Sequence, residues 1–434
     1  MSGETLFALA SAAGRGAIAV WRLSGPDVAV GLQALTSRNL PAPRRAVLRA
    51  LTDPSTGILI DHALVLWLPA PASYTGEDSA ELHCHGGRAV AESVAAALGR
   101  LPGFRPAEPG EFSRRAYLNG KLDLTEAEAV ADLAAAETEA QRRQALAQAG
   151  GALSTLYDGW RSRLIHLRAH LEADIEFPDD DIGDPVAELS GQLKELRSAI
   201  ADHLADARRG ERLREGLTIA VIGAPNAGKS SLVNSLARRD VAIVSPEAGT
   251  TRDAIEVHLD LGGYPVTLVD TAGLRSAPGT IEAEGIARAR ARAGAADLVL
   301  ALFAADGPPD AETLAMIDDR TIRVTSKADL GGTVTEALAI STTTNAGIDT
   351  LLKVLTDRVA GLFADRGAPP PTRARHRQAL TLCLAALDAS GAAPLPELAA
   401  EELRIAADEL GRITGRIDIE DMLDSVFRDF CIGK

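Results

Sequence analysis

The sequence predicts a multidomain chain: an α+β N-terminal domain, an all-α helical domain, and an α/β domain inserted into the helical one. Three observations carry this reading. Residues 1–119 mix short β-like runs with turns. From about Thr125 the text becomes rich in Ala, Leu, Glu and Arg, and the same texture returns after residue 373. Between them, from Leu217 to about Ala364, continuous apolar runs alternate with helical ones, as parallel strands and crossover helices do. The expected boundaries are 1–119 for the first domain, 120–210 and 373–434 for the two helical parts, and 211–372 for the insertion.

In the first domain, Ala17–Leu23 (AIAVWRL) and Ala63–Leu68 (ALVLWL) read as strands, punctuated by Ser24-Gly25-Pro26 and Pro69–Pro71. His83-Cys84-His85 looks at first like a metal cluster. Strand alternation puts the two histidines on one face and Cys84 on the other, which rejects zinc. Thr125 with Glu128 three residues later reads as a capping box opening a helix. Leu133, Ala136 and Ala140 continue at helical spacing, and a second helix runs through about Leu171. EADIEFPDDDIGDP then stops it at Pro178, and its seven acids read, taken alone, as a solvated loop. Residues 187–209 are helical again. LTIAVI (Leu217–Ile222), VTLVD, ADLVLALF and TIRVTS are the strands of the insertion, and Gly367–Pro371 (GAPPP) is a linker.

The 434 residues carry a formal net charge of −15, with 46% hydrophobic and only 3% aromatic residues. That composition excludes a disordered chain and leaves the cores to Ala, Leu, Val and Ile. The acidity disfavours a nonspecific grip on nucleic acid. No stretch of 18 residues is both apolar and uncharged, so no membrane span is expected. The start has an acid at Glu4 and no basic region before its apolar part, so no signal peptide is expected. Cys84, Cys383 and Cys431 lie far apart and form no CxxC pair, which points to a reducing cytoplasm.

Gly223-Ala224-Pro225-Asn226-Ala227-Gly228-Lys229-Ser230 matches GxxxxGK[ST], between a strand and the helical SLVNSLARR that begins at Ser231. Glycines let the backbone wrap phosphate oxygens, Lys229 reaches the β- and γ-phosphates, and the Ser230 hydroxyl holds Mg²⁺. Asp270-Thr271-Ala272-Gly273 follows a strand, where an Asp reaches Mg²⁺ through water and a Gly N–H reaches the γ-phosphate. This form resembles the second switch of the Ras-like GTPases. Gly249-Thr250-Thr251-Arg252-Asp253 falls where that class keeps its first-switch threonine. Ser326-Lys327-Ala328-Asp329 resembles the NKxD guanine motif. Its Asp329 can accept from guanine N1–H and the exocyclic amine, a pair adenine lacks. Ser326 replaces the usual Asn, which bears on the strength of base binding more than on which base is bound. Ser341-Thr342 lies at the last base contact and departs from S-A at its second residue.

Ras-like enzymes orient water with a Gln after DTAG; here that residue is Leu274. Another group must position water, and Glu282 and Glu284 lie downstream. Either also suits an exposed helix start. Asn226 is a candidate ligand for a monovalent cation beside the phosphates, with Arg252 and Arg275 as alternative charges.

GxPNAGKSSL, GTTRD and DTAGLR together resemble the TrmE/MnmE family of tRNA modification GTPases. The likeness extends through Arg22-Leu23-Ser24-Gly25, Tyr74–Asp78 (YTGED), His85-Gly86-Gly87, Pro109–Phe112, Asn119–Asp123, EADIEFPDDDI and the tail Phe430–Lys434 (FCIGK), essentially the whole chain. It implies an N-terminal tetrahydrofolate-binding and dimerisation domain, a helical domain, and a Ras-like P-loop G domain. It also implies a potassium-dependent GTPase acting as a homodimer. Asn226, Ser245, Glu247 and Thr250 would ligate potassium, Ser230 and Thr251 would serve Mg²⁺, and Glu282 would orient water. Pro246 and Ala248 complete the first-switch stretch around the nucleotide, beside Ala227, Gly228, Ser231 and Gly249 already quoted. Arg22, Glu81, Lys121 and Lys434 would hold 5-formyl- or methylene-tetrahydrofolate, and Cys431 would be a reactive thiol. With an FAD-dependent partner of the MnmG/GidA family, such a protein adds an aminomethyl-type group at C5 of the wobble uridine of tRNA. Cys431 four residues from the end also resembles a prenylation box, which Gly433 and Lys434 argue against. A ribosome-assembly or signalling GTPase would share every G motif but needs neither the N-terminal signatures nor FCIGK. A folate-binding protein with a degenerate G domain is a third reading.

Overall fold

The computed structural model describes residues 3–12, 14–176, 185–243, 256–270, 290–332, 336–363, 367–417, 420–428 and 430–433. The chain forms two compact units, one of 1–134, 148–182 and 385–434, the other of 135–147 and 183–384.

The first unit opens with strands β1 (Thr5–Leu9), β2 (Ile18–Ser24), β3 (Val47–Thr52), β4 (Leu59–Leu68), β5 (Ser79–His85) and β6 (Phe104–Pro106). They form one sheet in the order β3-β4-β5-β2-β1-β6, antiparallel except that β6 runs parallel to β1. Helices α1 (Val28–Thr36) and α2 (Arg88–Gly99) cover one face, sharing a core with Trp21, Leu23, Val65, Trp67, Leu82 and Cys84. Cys84 is therefore core, and burial pushes its thiol up to about 12. His83 bonds Glu81 and His85 bonds Asp61, two separate carboxylates. Helix α3 (Glu111–Leu118) sends Phe112 into a second cluster with Leu6, Ala8 and Ala107.

Helix α4 (Leu124–Ala135) corrects the capping assignment. The Asp123 carboxylate accepts from the Glu126 N–H at 2.9 Å, and the Glu126 carboxylate accepts from the Asp123 N–H at 2.9 Å. The reciprocal box is Asp123/Glu126, whereas Thr125 and Glu128 are buried inside the helix. The helical spacing through Ala140 is also interrupted. A new helix, α5 (Glu139–Ala149), opens where the Gln141 side chain accepts from the backbone of Glu137 and Thr138. Helix α6 (Ala152–Glu176) runs five residues past the expected Leu171.

In the second unit, α7 (Pro185–Ala205) and α8 (Ala207–Glu215) precede the insertion. Strands β7 (Leu217–Gly223), β8 (Glu256–Leu261), β9 (Tyr264–Asp270), β10 (Leu298–Ala304), β11 (Thr321–Ser326) and β12 (Leu338–Ala339) lie in the order β12-β11-β10-β7-β9-β8. All neighbours are parallel except β8 on β9. Helices α9 (Lys229–Ala237), α10 (Ala311–Leu314) and α11 (Ile348–Leu362) are among the helices of this part. The apolar runs of β7, β9, β10 and β11 meet Leu232, Leu236, Leu351 and Leu355 in one core, as expected for strands buried on both faces.

The chain enters and leaves the insertion side by side. Arg209 on α8 donates to the Ala368 carbonyl, Glu211 pairs with Arg377 at 3.0 Å, and a Cβ on Gly210 would fall 2.1 Å from the Pro371 oxygen. Helix α12 (Ala374–Ala392) follows this clasp. Helices α13 (Pro396–Thr414) and α14 (Glu420–Arg428) belong to the first unit. There α13 lies along α6, and Phe427 and Phe430 pack over Leu124 and Ala127.

Candidate nucleotide site

The cradle follows from where β7 ends. Gly223 closes the strand opposite Leu302 of β10, at φ +153°; a Cβ there would lie 2.6 Å from the Leu302 oxygen. Asn226 (φ +62°) and Gly228 (φ +90°) then turn the backbone through left-handed conformations, and α9 starts at Lys229. This places the first N–H groups of α9 and the loop amides around one concavity suited to an anion.

Lys229 is only 7% exposed, and its ammonium donates to the Gly223 and Ala224 carbonyls at 2.7 and 2.8 Å. Burial lowers its pKa, opposed by the charges of Asp270 and Asp310. Asp270, fully buried at the end of β9, accepts from the Ser230 hydroxyl at 2.6 Å. A hydroxyl and a carboxylate this close are the hard oxygen donors a Mg²⁺ site needs, so the residues present fit that ion. Asn226 is exposed at the loop apex.

At the base end, Ser326 closes β11 and is 4% exposed. Its hydroxyl donates to the Ala227 carbonyl of the cradle at 2.6 Å. Lys327 (φ +56°) pairs with Asp306 at 2.8 Å, and Asp329 is exposed on a 3₁₀ turn, Ala328–Leu330. Ser341 reaches this corner because the Ile340 carbonyl accepts from the Ala328 N–H and the Ile340 N–H bonds the Thr325 carbonyl. Thr342 is half-buried beside it. The structure thus gathers Asn226–Ser231, Asp270, Ser326–Asp329 and Ser341-Thr342 around the C-terminal ends of β7, β9 and β11. Ser245, Pro246, Glu247, Ala248, Gly249, Thr250, Thr251, Thr271, Ala272, Gly273 and Glu282 lie outside the described residues.

A second cluster sits on the N-terminal sheet. Arg22 on β2 and Glu81 on β5 are directly opposed, with guanidinium and carboxylate 3.4 Å apart. The guanidinium lies over the rings of Tyr74 (5.6 Å) and Phe112 (6.0 Å) and donates to the Gly433 carbonyl at 3.3 Å. Glu81 also bonds His83 at 3.1 Å. Burial raises the Tyr74 hydroxyl's pKa, while its bond to Ser113 and the Arg22 charge lower it. Lys121 donates to the Pro71 carbonyl at 3.2 Å. Cys431 is exposed, and Lys434 lies outside the described residues. A guanidinium, a carboxylate and two rings fit a flat, polar-edged ligand with an anionic tail.

Sequence reasoning missed Tyr74 and Phe112 as ring partners. It also missed Arg115, which is buried and bonds Glu77 at 2.8 Å and the Glu4 carbonyl at 3.0 Å, while Ser24 bonds Glu77 and Thr75. Much of the YTGED and RLSG text therefore builds a buried polar network. Spacing gives no signal for such pairings across strands.

Residues 124–431 match the model of the MnmE helical domain, and residues 5–121 match that of the GTP-binding protein TrmE N-terminus. The chain is 55% identical, over 99% of its length and all of the relative's, to the tRNA modification GTPase MnmE of Parvibaculum lavamentivorans. The corresponding protein of Paramagnetospirillum magneticum is 56% identical, again over 99% of this chain and all of that one. The human mitochondrial 5-taurinomethyluridine-[tRNA] synthase subunit GTPB3 is 48% identical, over all of this chain and 94% of its own. With both family models and relatives of this identity spanning it end to end, the chain belongs to the MnmE (TrmE) family.

Proposed function

We propose that the chain is a GTPase that hydrolyses GTP in the Gly223–Ser230 cradle and uses the cycle to modify tRNA, at C5 of the wobble uridine. The observation that carries this is the cradle itself. Lys229 is buried against its own loop, and Ser230 is bonded to Asp270, so cation, hydroxyl and carboxylate stand ready where phosphates and Mg²⁺ would lie. Asp329 supplies the two acceptors that select guanine. Relatives that match this chain over 99% of its length are named tRNA modification GTPases, which supports the coarser part of this reading.

Ser230 and Thr251 would hold Mg²⁺, and Asn226, Ser245, Glu247 and Thr250 would hold potassium. A monovalent cation there neutralises charge that develops on the phosphates. Glu282 would orient the attacking water, since Leu274 offers no hydrogen bond. Arg22, Glu81, Lys121 and Lys434 would hold a 5-formyl- or methylene-tetrahydrofolate in the N-terminal domain, with Cys431 as a thiol near it. Arg22 favours this through its charge and its ring partners. Homodimerisation and an FAD-dependent partner of the MnmG/GidA family complete the reading. The net charge of −15 suggests that this partner supplies much of the tRNA affinity. G-domain closure and opening would rearrange the modification site; the carbon itself comes from the folate.

GTP turnover measured in KCl and in NaCl tests the cation. Turnover is expected to fall at least tenfold in NaCl, on the order of one lost charge contact. Comparable rates would remove potassium from the mechanism. Mass analysis of wobble uridine in a deletion strain tests the modification. Unchanged nucleoside composition would leave a GTPase switch without modification chemistry.

A further inference from the structure

Ser326 stands at the junction of the two halves of the nucleotide site, and its hydrogen-bond inventory is small. A serine hydroxyl has one proton to give. Here the nearest acceptor is the Ala227 carbonyl at 2.6 Å, with the Phe303 carbonyl at 3.4 Å as a distant second. Both are backbone oxygens, and Ser326 is 4% exposed, so this proton is committed inside the protein. An asparagine would bring two N–H groups and could serve the cradle with one while offering the other outward.

Guanine has two kinds of edge. The N1–H and amine face needs acceptors, which Asp329 has. The O6 and N7 face needs donors. Among the neighbouring groups, the Lys327 ammonium is paired with Asp306 at 2.8 Å, the Ala328 N–H with the Ile340 carbonyl at 3.0 Å, and the Ser341 N–H with the Ala346 carbonyl at 2.9 Å. The Ser341 hydroxyl accepts from the Thr344 N–H at 3.2 Å.

Building on the GTP reading above, we propose that Ser326 is a positioning residue that pins the phosphate cradle at Ala227 and makes no contact with the base. This chain therefore selects guanine through Asp329 without reading N7. The consequence is chemical and specific: a nucleotide in which N7 is replaced by C–H loses nothing here.

The test is titration calorimetry of the full chain with GDP and 7-deaza-GDP. The expected result for the natural protein is equal affinity, within about twofold, where a hydrogen bond read at N7 would separate them by about three- to tenfold. Ser326→Ala is expected to weaken both ligands by the same factor, and Ser326→Thr, which keeps the hydroxyl, to restore both. Ser326→Asn is expected to separate the two ligands by several-fold. A natural protein that prefers GDP by about threefold or more, or a Ser326→Ala variant that changes the ratio, would overturn the proposal. The ratio in the natural protein needs no variant to fold. Failure of GDP to bind at all would instead strike the GTP reading itself.

Discussion

Lys229 holds its ammonium against two loop carbonyls, and burial disfavours the charge that a phosphate would satisfy. Removing it leaves the cradle's amides in place but takes away the positive side chain that, among the described residues, is buried in the cradle. Lys229→Ala is expected to slow GTP turnover by about 100-fold or more, the usual cost of losing one positioned charge donor. Steady-state phosphate release checks this. Arg115 is the other residue whose role depends on what it would leave behind. Without it, the Glu77 carboxylate keeps the Ser24 hydroxyl but loses its cationic partner, and the Glu4 carbonyl loses a donor. Arg115→Met is expected to destabilise the first unit by about 3 kcal/mol, read as a lowered urea midpoint. A loss under 1 kcal/mol would mean that water replaces the guanidinium there. Neither Tyr74 nor Arg115 was legible as a contact, because spacing along the chain says nothing about what meets across strands.

Elements were more legible than contacts. LTIAVI, VTLVD, ADLVLALF and TIRVTS became β7, β9, β10 and β11 because unbroken apolar runs have few alternatives to a strand covered on both faces. In the N-terminal sheet the sequence identifies β2, β4 and, through the alternation at His83–His85, the end of β5. The rest of Ser79–His85 mixes polar and apolar residues, since Glu81 and His83 share the face opposite Leu82 and Cys84. The α4 cap lies two residues before the Thr125/Glu128 pair that the spacing predicts. Both Thr125/Glu128 and Asp123/Glu126 satisfy the spacing, and only the backbone distinguishes them. Asp123→Ala is expected to cost about 1 kcal/mol or more, because Asp123 also accepts from Thr125 at 2.8 Å. Thr125→Ala removes a donor within that arrangement and is expected to cost less. Paired thermal melts would expose the reverse order.

For the whole molecule, buried histidine sets an acid limit. Burial drives the His203 pKa down to about 4, opposed by Asp206 and assisted by His376 and Arg209. The unfolded value is about 6.5, so between those values the unfolded chain binds more protons. Stability from this group is complete above pH 6.5 and is lost as pH falls towards 4, by about 3 kcal/mol in all. Melts at pH 7.5 and pH 4.5 are expected to show a smaller drop for His203→Gln than for the natural protein, and equal drops would contradict the assignment. The clasp between Gly210 and Pro371 carries a different consequence. Its two ends touch, so topologically the intervening chain is a handle of almost no span. Each doubling of such a handle costs only about 0.6 kcal/mol of closure entropy. The helices on either side are therefore nearly indifferent to how much protein hangs there, and a catalytic module could be lengthened, trimmed or exchanged at this seam without moving its anchorage.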